Sequence, residues 1–373
     1  MRILIIGSDF NTYAVAKKMS EQKNVDLVFV APGNKYIKDF ATSVDIQENE
    51  IEELLEFATA NEINLVFISS INAISNSIAD AFIGEGFNVF GPYFNSARIT
   101  LSAASAKKFM YKLRISTPKF GIFDKEGLAI DYVRASKYPM VIKPDFFDET
   151  NFSQIVYTFS KAKEAVERLF DNFCKKIVIE EYAERQETYI YYITDGITVF
   201  YLGSVFEEFD LDSGCDICYS PNPNLSETQI QDITKRVVEP TILEISKNSN
   251  PYSGIFSVKI SNVGKYLQVL EFKPFFNKNH ACLILPFIED DICDLFSAVA
   301  VGSFSDDYSD VKLNDGYVYA CSNFERNDFD SDLIELSYSN DSKFAASKLF
   351  STLNNAKKSL FGIEFNEIGE DYF

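Results

Sequence analysis

Apolar runs alternate with helical patterns over the first hundred residues of this 373-residue chain. The runs are short and continuous, as is typical of strands buried on both faces, and they lie at 3–6, 27–30 and 65–68. Segments with helical spacing of apolar side chains, or composition suited to a helix, separate them at 11–20, 50–61 and 77–83. Strands separated by helices predict an open parallel sheet with helices on both faces.

The pattern changes after residue 95 to helices mixed with paired strands. Two hairpins are predicted, one joining 188–193 to 198–202 around Asp195-Gly196 and one joining 254–260 to 266–272. Further strands are predicted at 138–143, 177–180 and 317–320, and further helices at 96–113, 161–170, 227–246 and 343–360. The predicted fold class is therefore α/β followed by α+β. We expect domains at 1–95, 96–185 and 186–300, with a reduced C-terminal α+β domain at 301–373.

Hydrophobic content and net charge limit the classes of partner expected for this protein. A hydrophobic content of 46% indicates a folded chain, and the formal net charge is −20. Such a surface repels nucleic acid and acidic membranes, so neither is an expected partner. It also repels ATP unless a site concentrates positive charge. The first strand begins at residue 2 without a signal-peptide pattern, and no apolar run is long enough to span a bilayer, so a cytoplasmic location is expected.

Cysteine and histidine offer little pattern for a metal site. The six cysteines are scattered, which suits reduced thiols in a cytosol. Cys215 and Cys218 have C-x-x-C spacing, but no second pair completes a zinc site, so a metal ligand pair and two incidental thiols both stay open. His280 is the single histidine, which excludes a His-rich metal site and makes a His-based triad an unattractive hypothesis.

Seven short motifs resemble those of the phosphoribosylamine–glycine ligase family, in the family's order and near its spacing. They are Ile5-Ile6-Gly7-Ser8, the segment 29–34, Phe90-Gly91-Pro92, Phe109-Met110, Val141-Ile142-Lys143, Ile179-Glu180-Glu181-Tyr182 and Val269-Leu270-Glu271-Phe272. The resemblance covers about residues 1–300. It implies two ATP-grasp lobes after the N-terminal sheet, and a reaction that joins glycine to phosphoribosylamine through a glycyl phosphate, with ATP and magnesium.

The resemblance also implies roles for particular residues. Gly7 and Ser8 would lie at the substrate side, and Glu271 would bind the metal. The residues implied for nucleotide are Lys143 on phosphate, the hinge Glu180, Glu181 and Tyr182 on adenine, and Glu187 on ribose. Plainer interpretations remain open, because Lys143 could be an ordinary lysine at a strand end and Glu181 and Glu187 solvated acids.

Several family motifs are altered in ways that weaken the implied chemistry. The phosphate-binding loop, glycine-rich in the family, is here 146–152, with no glycine and two acids, and Asp9 adds negative charge to the first turn. The segment 206–218, in place of a glycine-binding motif, is acidic, and we interpret it as a shortened solvated loop or an acidic docking loop. Lys273 replaces the second metal ligand, and we expect it to pair with Glu271.

These alterations lead to two hypotheses of function. In the first, the chain is a catalytically degenerate homologue, with no assigned catalytic residue, that binds a protein partner or a small metabolite. In the second, it is an active ATP- and Mg-dependent carboxylate–amine ligase that works through an acyl phosphate. The expected cofactor is ATP with Mg, bound weakly, and under the first hypothesis nucleotide binding is expected mostly through adenine and ribose. Under the second, Lys143 would contact phosphate and Glu271 would bind magnesium.

Overall fold

The first hundred residues form the predicted parallel sheet. A computed structural model describes residues 1–146, 152–183, 187–210, 215–263, 266–323 and 335–339. Its first five strands pair only in parallel, in the order β3-β2-β1-β4-β5. They are β1 (Arg2–Gly7), β2 (Leu27–Pro32), β3 (Thr42–Ser43), β4 (Leu65–Ile68) and β5 (Val89–Phe90), and the helices between them are α1 (Phe10–Ser20), α2 (Ile51–Ala60), α3 (Ile71–Ser75) and α4 (Ile78–Gly84).

Both faces of this sheet are buried, as the continuous apolar runs indicated. Successive side chains of a strand point to opposite faces, so neighbouring residues of β1 enter different cores. Ile5 shares a core with Val15 of α1, whereas Ile6 shares a core with Leu54 of α2. The prediction of a doubly wound N-terminal sheet is confirmed.

The helical pattern at 96–113 is confirmed, but the segment is divided into two helices, α5 (Phe94–Leu101) and α6 (Ala103–Lys112). Ser102 between them is extended, and its Oγ accepts a hydrogen bond from Ser105 N–H at 3.0 Å, as an N-cap does. Asp145 reinforces the break, because its Oδ1 accepts from Ser102 Oγ at 2.5 Å and from Ala104 N–H at 2.8 Å. A tertiary contact thus overrides the helical pattern of the sequence.

A small antiparallel sheet follows, with strand order β6-β9-β7-β8. Its elements are β6 (Phe120–Phe123), α7 (Glu126–Ala135), β7 (Met140–Pro144), β8 (Gln154–Val156), α8 (Phe159–Asp171) and β9 (Ile177–Glu181). Buried side chains of the two helices, among them Val133 and Leu169, share one core with Ile142 and Ile179 from the strands. The helices therefore cover one face of this sheet and leave the other for the rest of the chain.

A second, larger antiparallel sheet has the order β14-β13-β10-β11-β12-β15-β16. Its strands are β10 (Glu187–Thr194), β11 (Val199–Asp210), β12 (Cys215–Ser220), β13 (Gly254–Val263), β14 (Tyr266–Lys273), β15 (Tyr317–Asn323) and β16 (Glu335–Ser339). The helices of this part are α9 (Glu227–Ile233), α10 (Glu239–Asn248), α11 (Ala281–Ile284), α12 (Ile292–Val301) and α13 (Phe304–Asp307). Short 3₁₀ turns at Lys278–His280 and Leu285–Phe287 flank α11, and both predicted hairpins are confirmed.

Two other predictions for this part need correction. The segment 206–218, predicted as a solvated loop, contributes the end of β11 and the start of β12, which pair from Phe206↔Tyr219 to Asp210↔Cys215. The long helix predicted at 227–246 contains a π-helical turn at Thr234–Val238. Pro240 follows that turn and has no N–H to donate, which loosens the α-helical hydrogen bonds there.

The domain boundaries stay a prediction. β15 and β16 come from the predicted C-terminal domain and extend the edge of the large sheet through β12. The helix predicted at 343–360 lies outside the described residues. Within the described ranges, no helix combines the length and the apolar character that crossing a bilayer would need.

Candidate nucleotide site

A chain of alternating charges lies where α6, the small sheet and the large sheet meet. Lys107 Nζ is 2.6 Å from Glu180 Oε2, and Lys143 Nζ is 2.6 Å from Glu180 Oε1. Lys143 continues the chain to Glu271 Oε1 at 3.2 Å, and Lys273 Nζ is 3.3 Å from Glu271 Oε2. Lys107, Glu180 and Lys143 are at most 4% exposed, and Glu271 and Lys273 about 20%. We name these five residues the charge chain.

Strand register and helix position bring the charge chain together from distant parts of the sequence. Lys143 lies on β7 and Glu180 on β9, which are neighbours in the small sheet. Glu271 lies on β14 and is paired across the large sheet with Lys259 of β13. Lys107 comes from the buried face of α6, and its Nζ also donates to Thr117 Oγ1 at 2.7 Å.

Burial and ion pairing have opposite effects on the pKa values of the carboxyl groups in the charge chain. Burial disfavours a charged Glu271, but the ammonium groups of Lys273, Lys143 and Lys259 hold its pKa well below the usual range. Burial likewise opposes the charge of Glu180, and Lys143 and Lys107 still lower its pKa. The carboxylates are therefore ionised and held by internal cations.

The two lysines respond differently to the same surroundings. Burial opposes the charge on Lys143, and Glu180 and Glu271 nevertheless raise its pKa. For Lys107 the desolvation prevails over the attraction of Glu180, and its pKa is lowered. Lys143, with two carboxylate partners, is thus the more firmly charged cation.

A cavity of about 20 Å³ lies beside the charge chain, lined by residues 99–103, Lys107, Lys143 and Glu271 among others. That volume suits a water molecule and is too small for a phosphate group.

Two backbone N–H groups of the predicted adenine hinge donate hydrogen bonds to other parts of the protein. The N–H of Glu181 donates to Lys119 O at 2.9 Å, and the N–H of Tyr182 donates to Pro139 O at 3.3 Å. The Glu181 side chain is exposed and lies 3.4 Å from Lys119 Nζ. Glu187, predicted for ribose, instead lies 2.5 Å from Lys259 Nζ. The hinge prediction stays a prediction, with neither of these two backbone donors directed to a ligand.

The predicted substrate turn at Gly7 and Ser8 is also capped from within. Asp9 Oδ1 accepts from the N–H of Thr12 at 2.8 Å and from its hydroxyl at 2.7 Å, so it fills the N-terminus of α1. A Cβ on Gly7 would lie 2.5 Å from Thr12 Oγ1, so only glycine fits beside this cap. Burial raises the pKa of the nearby Glu48, which also senses the charge of Asp9. The turn therefore offers an anion little attraction.

Three residues of the candidate site, Lys107, Asp145 and Lys259, received no assigned role from the sequence. The family resemblance implies a first phosphate-binding lysine at the position of Ala103. Lys107 follows Ala103 by four residues, and one helical turn places it on the same side of α6. Asp145 caps α6, and Lys259 contacts Glu187, yet neither lies in a motif that was singled out. Residues 147–151 of the altered phosphate-binding loop lie outside the described residues; its flanking Phe146 and Phe152 are more than half exposed.

Comparison with known proteins identifies the family. Residues 1–100 match the N domain of phosphoribosylglycinamide synthetase, and residues 102–280 match its ATP-grasp (A) domain. The chain belongs to this family. The phosphoribosylamine–glycine ligase of Clostridium acetobutylicum is 29% identical over 330 residues, which are 85% of this chain and 78% of the relative. That of Caldanaerobacter subterraneus subsp. tengcongensis is 27% identical over 314 residues, 81% and 75% of the two chains.

Solved structures support the fold assignment. The phosphoribosylamine–glycine ligase of Thermotoga maritima superposes with a TM-score of 0.76 at 18% identity, covering 94% of this chain and 96% of that one. The biotin carboxylase of Campylobacter jejuni gives 0.72 at 14% identity, covering 93% and 89%. The predicted class, an N-terminal open parallel sheet followed by ATP-grasp lobes, is confirmed.

Removing one member of the charge chain should destabilise the protein strongly. Glu180→Gln would leave Lys107 and Lys143 buried without their shared carboxylate, and breaking a buried pair in this way costs about 3–5 kcal/mol. The neighbouring Glu181→Gln is the matched control, because an exposed ion pair contributes about 0–1 kcal/mol. Because the chain has no Trp, thermal unfolding followed by circular dichroism measures both. Equal unfolding temperatures for the two variants would show that the charge chain is energetically unimportant.

Acid should weaken the protein partly through Glu271. Its pKa is depressed in the fold, so its contribution to stability is complete above the unfolded value of about 4.3 and is lost as the pH falls below it. The unfolding temperature should therefore fall more steeply between about pH 5 and pH 3 in the parent than in Glu271→Gln. Glu181→Gln controls for the loss of one exposed carboxylate. Parallel slopes for the parent and Glu271→Gln would contradict the depressed pKa.

Proposed function

We propose that this member of the phosphoribosylglycinamide synthetase family is a degenerate ligase that acts by binding, with a nucleoside-like metabolite or a protein as its ligand. The observation that carries the proposal is the position of Lys273, whose ammonium group lies 3.3 Å from Glu271 Oε2. In the family resemblance this position belongs to a metal ligand. An internal cation therefore stands beside the one carboxylate that was expected to bind magnesium.

The residues present do not fit a magnesium ion. Magnesium requires close to octahedral oxygen coordination, with bonds of about 2.0–2.1 Å. Glu271 faces an ammonium group at each oxygen, Lys143 at Oε1 and Lys273 at Oε2. Like charges about 4 Å apart repel by about 4 kcal/mol per pair of unit charges near a protein surface, and a divalent ion doubles this. We therefore derive no reaction step through magnesium.

The lysines near the expected phosphate positions are also neutralised, by a buried carboxylate. Lys107 and Lys143 share Glu180, so a phosphate would compete with a carboxylate 2.6 Å from each of them. The N-terminus of α6 could attract an anion through its helix dipole, but Asp145 already occupies it. These contacts support weak binding in which adenine and ribose contribute more than phosphate.

An active ATP-dependent carboxylate–amine ligase is the second candidate. It is favoured by the convergence of Lys143, Glu180 and Glu271, three residues that match the family's motifs, in one cleft. Activity would require the charge chain to separate when substrates bind. Separating the ions of this chain that are at most 4% exposed costs free energy, because each ion loses its partner and needs water or a new partner. The ligase is therefore the less favoured function.

Calorimetric titration distinguishes the two candidates. We expect adenosine, ADP and ATP to bind with dissociation constants near the millimolar range, within about tenfold of one another, and without dependence on Mg²⁺. Lys273→Asn removes the ammonium group and supplies a neutral oxygen ligand, so it should introduce a Mg²⁺-dependent gain in ATP affinity. Lys119→Asn, at a lysine that is 84% exposed, is the control and should change nothing.

One outcome would overturn the proposal, and a further variant would locate the binding. Tight, Mg²⁺-dependent binding of ATP by the parent protein, with a clear preference over adenosine, would favour the ligase. Loss of Mg²⁺-dependent binding in Glu271→Gln would then assign that binding to the cleft.

A further inference from the structure

Three chemically different metal ligands converge on one face of the large sheet, apart from the charge chain. Glu207 offers a carboxylate oxygen, Cys218 a sulfur atom and His280 a ring nitrogen. These three atoms all lie within 4.8 Å of one another. Cys218 is 8% exposed, His280 is fully buried, and Glu207 is partly buried. The residues are 11 and 62 positions apart in sequence, so only the fold brings them together.

Strand pairing sets two of the three positions. Glu207 of β11 is the direct cross-strand partner of Cys218 on β12, so their side chains share a face and lie close together. His280 ends the 3₁₀ turn that precedes α11, and α11 packs over β11 and β12. Asn11 anchors this turn, because its Oδ1 accepts from Ala281 N–H and its Nδ2 donates to Phe276 O.

The imidazole of His280 is held with Nε2 toward Glu207. Nδ1 lies 2.7 Å from Tyr191 Oη, which also accepts from the N–H of Asn277 at 3.1 Å. Nε2 lies 2.8 Å from Glu207 Oε1 but has no hydrogen bond of suitable geometry in the described part of the chain. A metal-bound histidine is normally oriented through its other ring nitrogen in this way. A bound cation would satisfy both the buried Nε2 and the carboxylate beside it.

We propose that Glu207, Cys218 and His280 bind a zinc ion. Nitrogen, thiolate sulfur and carboxylate oxygen are the donors that Zn²⁺ takes, whereas Mg²⁺ takes oxygen. Zinc bonds of about 2.0–2.3 Å place tetrahedral ligand atoms roughly 3.5 Å apart, so shifts of about 1 Å or less would form the site. Cys218 loses its thiol proton on binding, His280 binds as neutral imidazole, and the two anions balance the charge of the ion.

The proposed site has three protein ligands and therefore leaves a fourth position for water or a small anionic ligand. Tyr191 and Asn277 supply its outer contacts, since Tyr191 orients His280 and Asn277 Nδ2 donates to Glu207 Oε1 at 3.0 Å. This inference goes beyond the proposed nucleotide function, because it uses none of the five residues of the charge chain.

Metal analysis of the full chain tests the proposal. The protein, purified and then dialysed with Zn²⁺ or Co²⁺, should retain one equivalent of metal. The Co²⁺ form should show a thiolate-to-metal charge-transfer band and the visible bands of tetrahedral cobalt. A protein that retains no metal, or Co²⁺ spectra without a thiolate band, would overturn the proposal.

Matched cysteine variants locate the ion. Cys218→Ser should abolish the thiolate band and weaken metal binding by at least about tenfold, and Tyr191→Phe should weaken it by about 10–100-fold while keeping the band. Cys293→Ser is the control, because Cys293 is a buried thiol in α12 outside the cluster and should leave both measurements unchanged. A band that survives in Cys218→Ser would place the metal elsewhere and contradict the assignment.

Discussion

The buried ion pairs among Lys107, Glu180, Lys143, Glu271 and Lys273 are the constraint on which the candidate nucleotide site depends. They join α6, the small sheet and the large sheet. Taking these charges out of water is costly, and only mutual pairing makes it tolerable. The same pairing occupies Lys143, Glu180 and Glu271, to which the family resemblance gives nucleotide and metal contacts.

The fold and the chemistry of this family depend on different residues. The sheets depend on apolar side chains such as Ile5, Ile142 and Val258, each of which is at most 1% exposed. Many hydrophobic side chains of suitable size can fill such positions. An enzyme site depends on a few polar groups placed with precision. Lys273, at a position where the resemblance implies a metal ligand, lies in an intact strand, so such a position can change without disturbing the fold. A family match therefore establishes the fold more firmly than the activity.

The sequence could predict the elements whose patterns are local. The parallel strands β1, β2 and β4 follow from continuous apolar runs, and the hairpin of β10 and β11 follows from Asp195-Gly196 between two apolar segments. The break at Ser102 could not be predicted, because Asp145, 43 residues later, stabilises it. The segment 206–218 looked like a solvated loop because its acids obscured the alternation of a strand at the edge of a hairpin.

The candidate sites show the same division. Motif resemblance drew attention to Lys143, Glu180 and Glu271, and the structure brings these three together. The resemblance placed the family's first phosphate lysine at Ala103, with Lys107 and Lys108 close by, and it assigned neither lysine to the site that Lys107 joins. The cluster of Glu207, Cys218 and His280 has no sequence spacing typical of zinc sites, because strand register and a distant turn create it. Of the C-x-x-C pair, Cys218 is the member found in this cluster, and it is joined there by residues from outside the motif.

Growth of a purine-requiring bacterial strain that lacks its own phosphoribosylamine–glycine ligase tests the central claim most directly. The chain would be expressed in that strain beside the Clostridium acetobutylicum relative as a positive control, with immunoblotting to confirm equal amounts. If internal cations have replaced the metal at Glu271, only the relative should support growth without purine. Growth supported by this chain, and abolished by Glu271→Ala, would show that the charge chain opens for catalysis and would contradict the account.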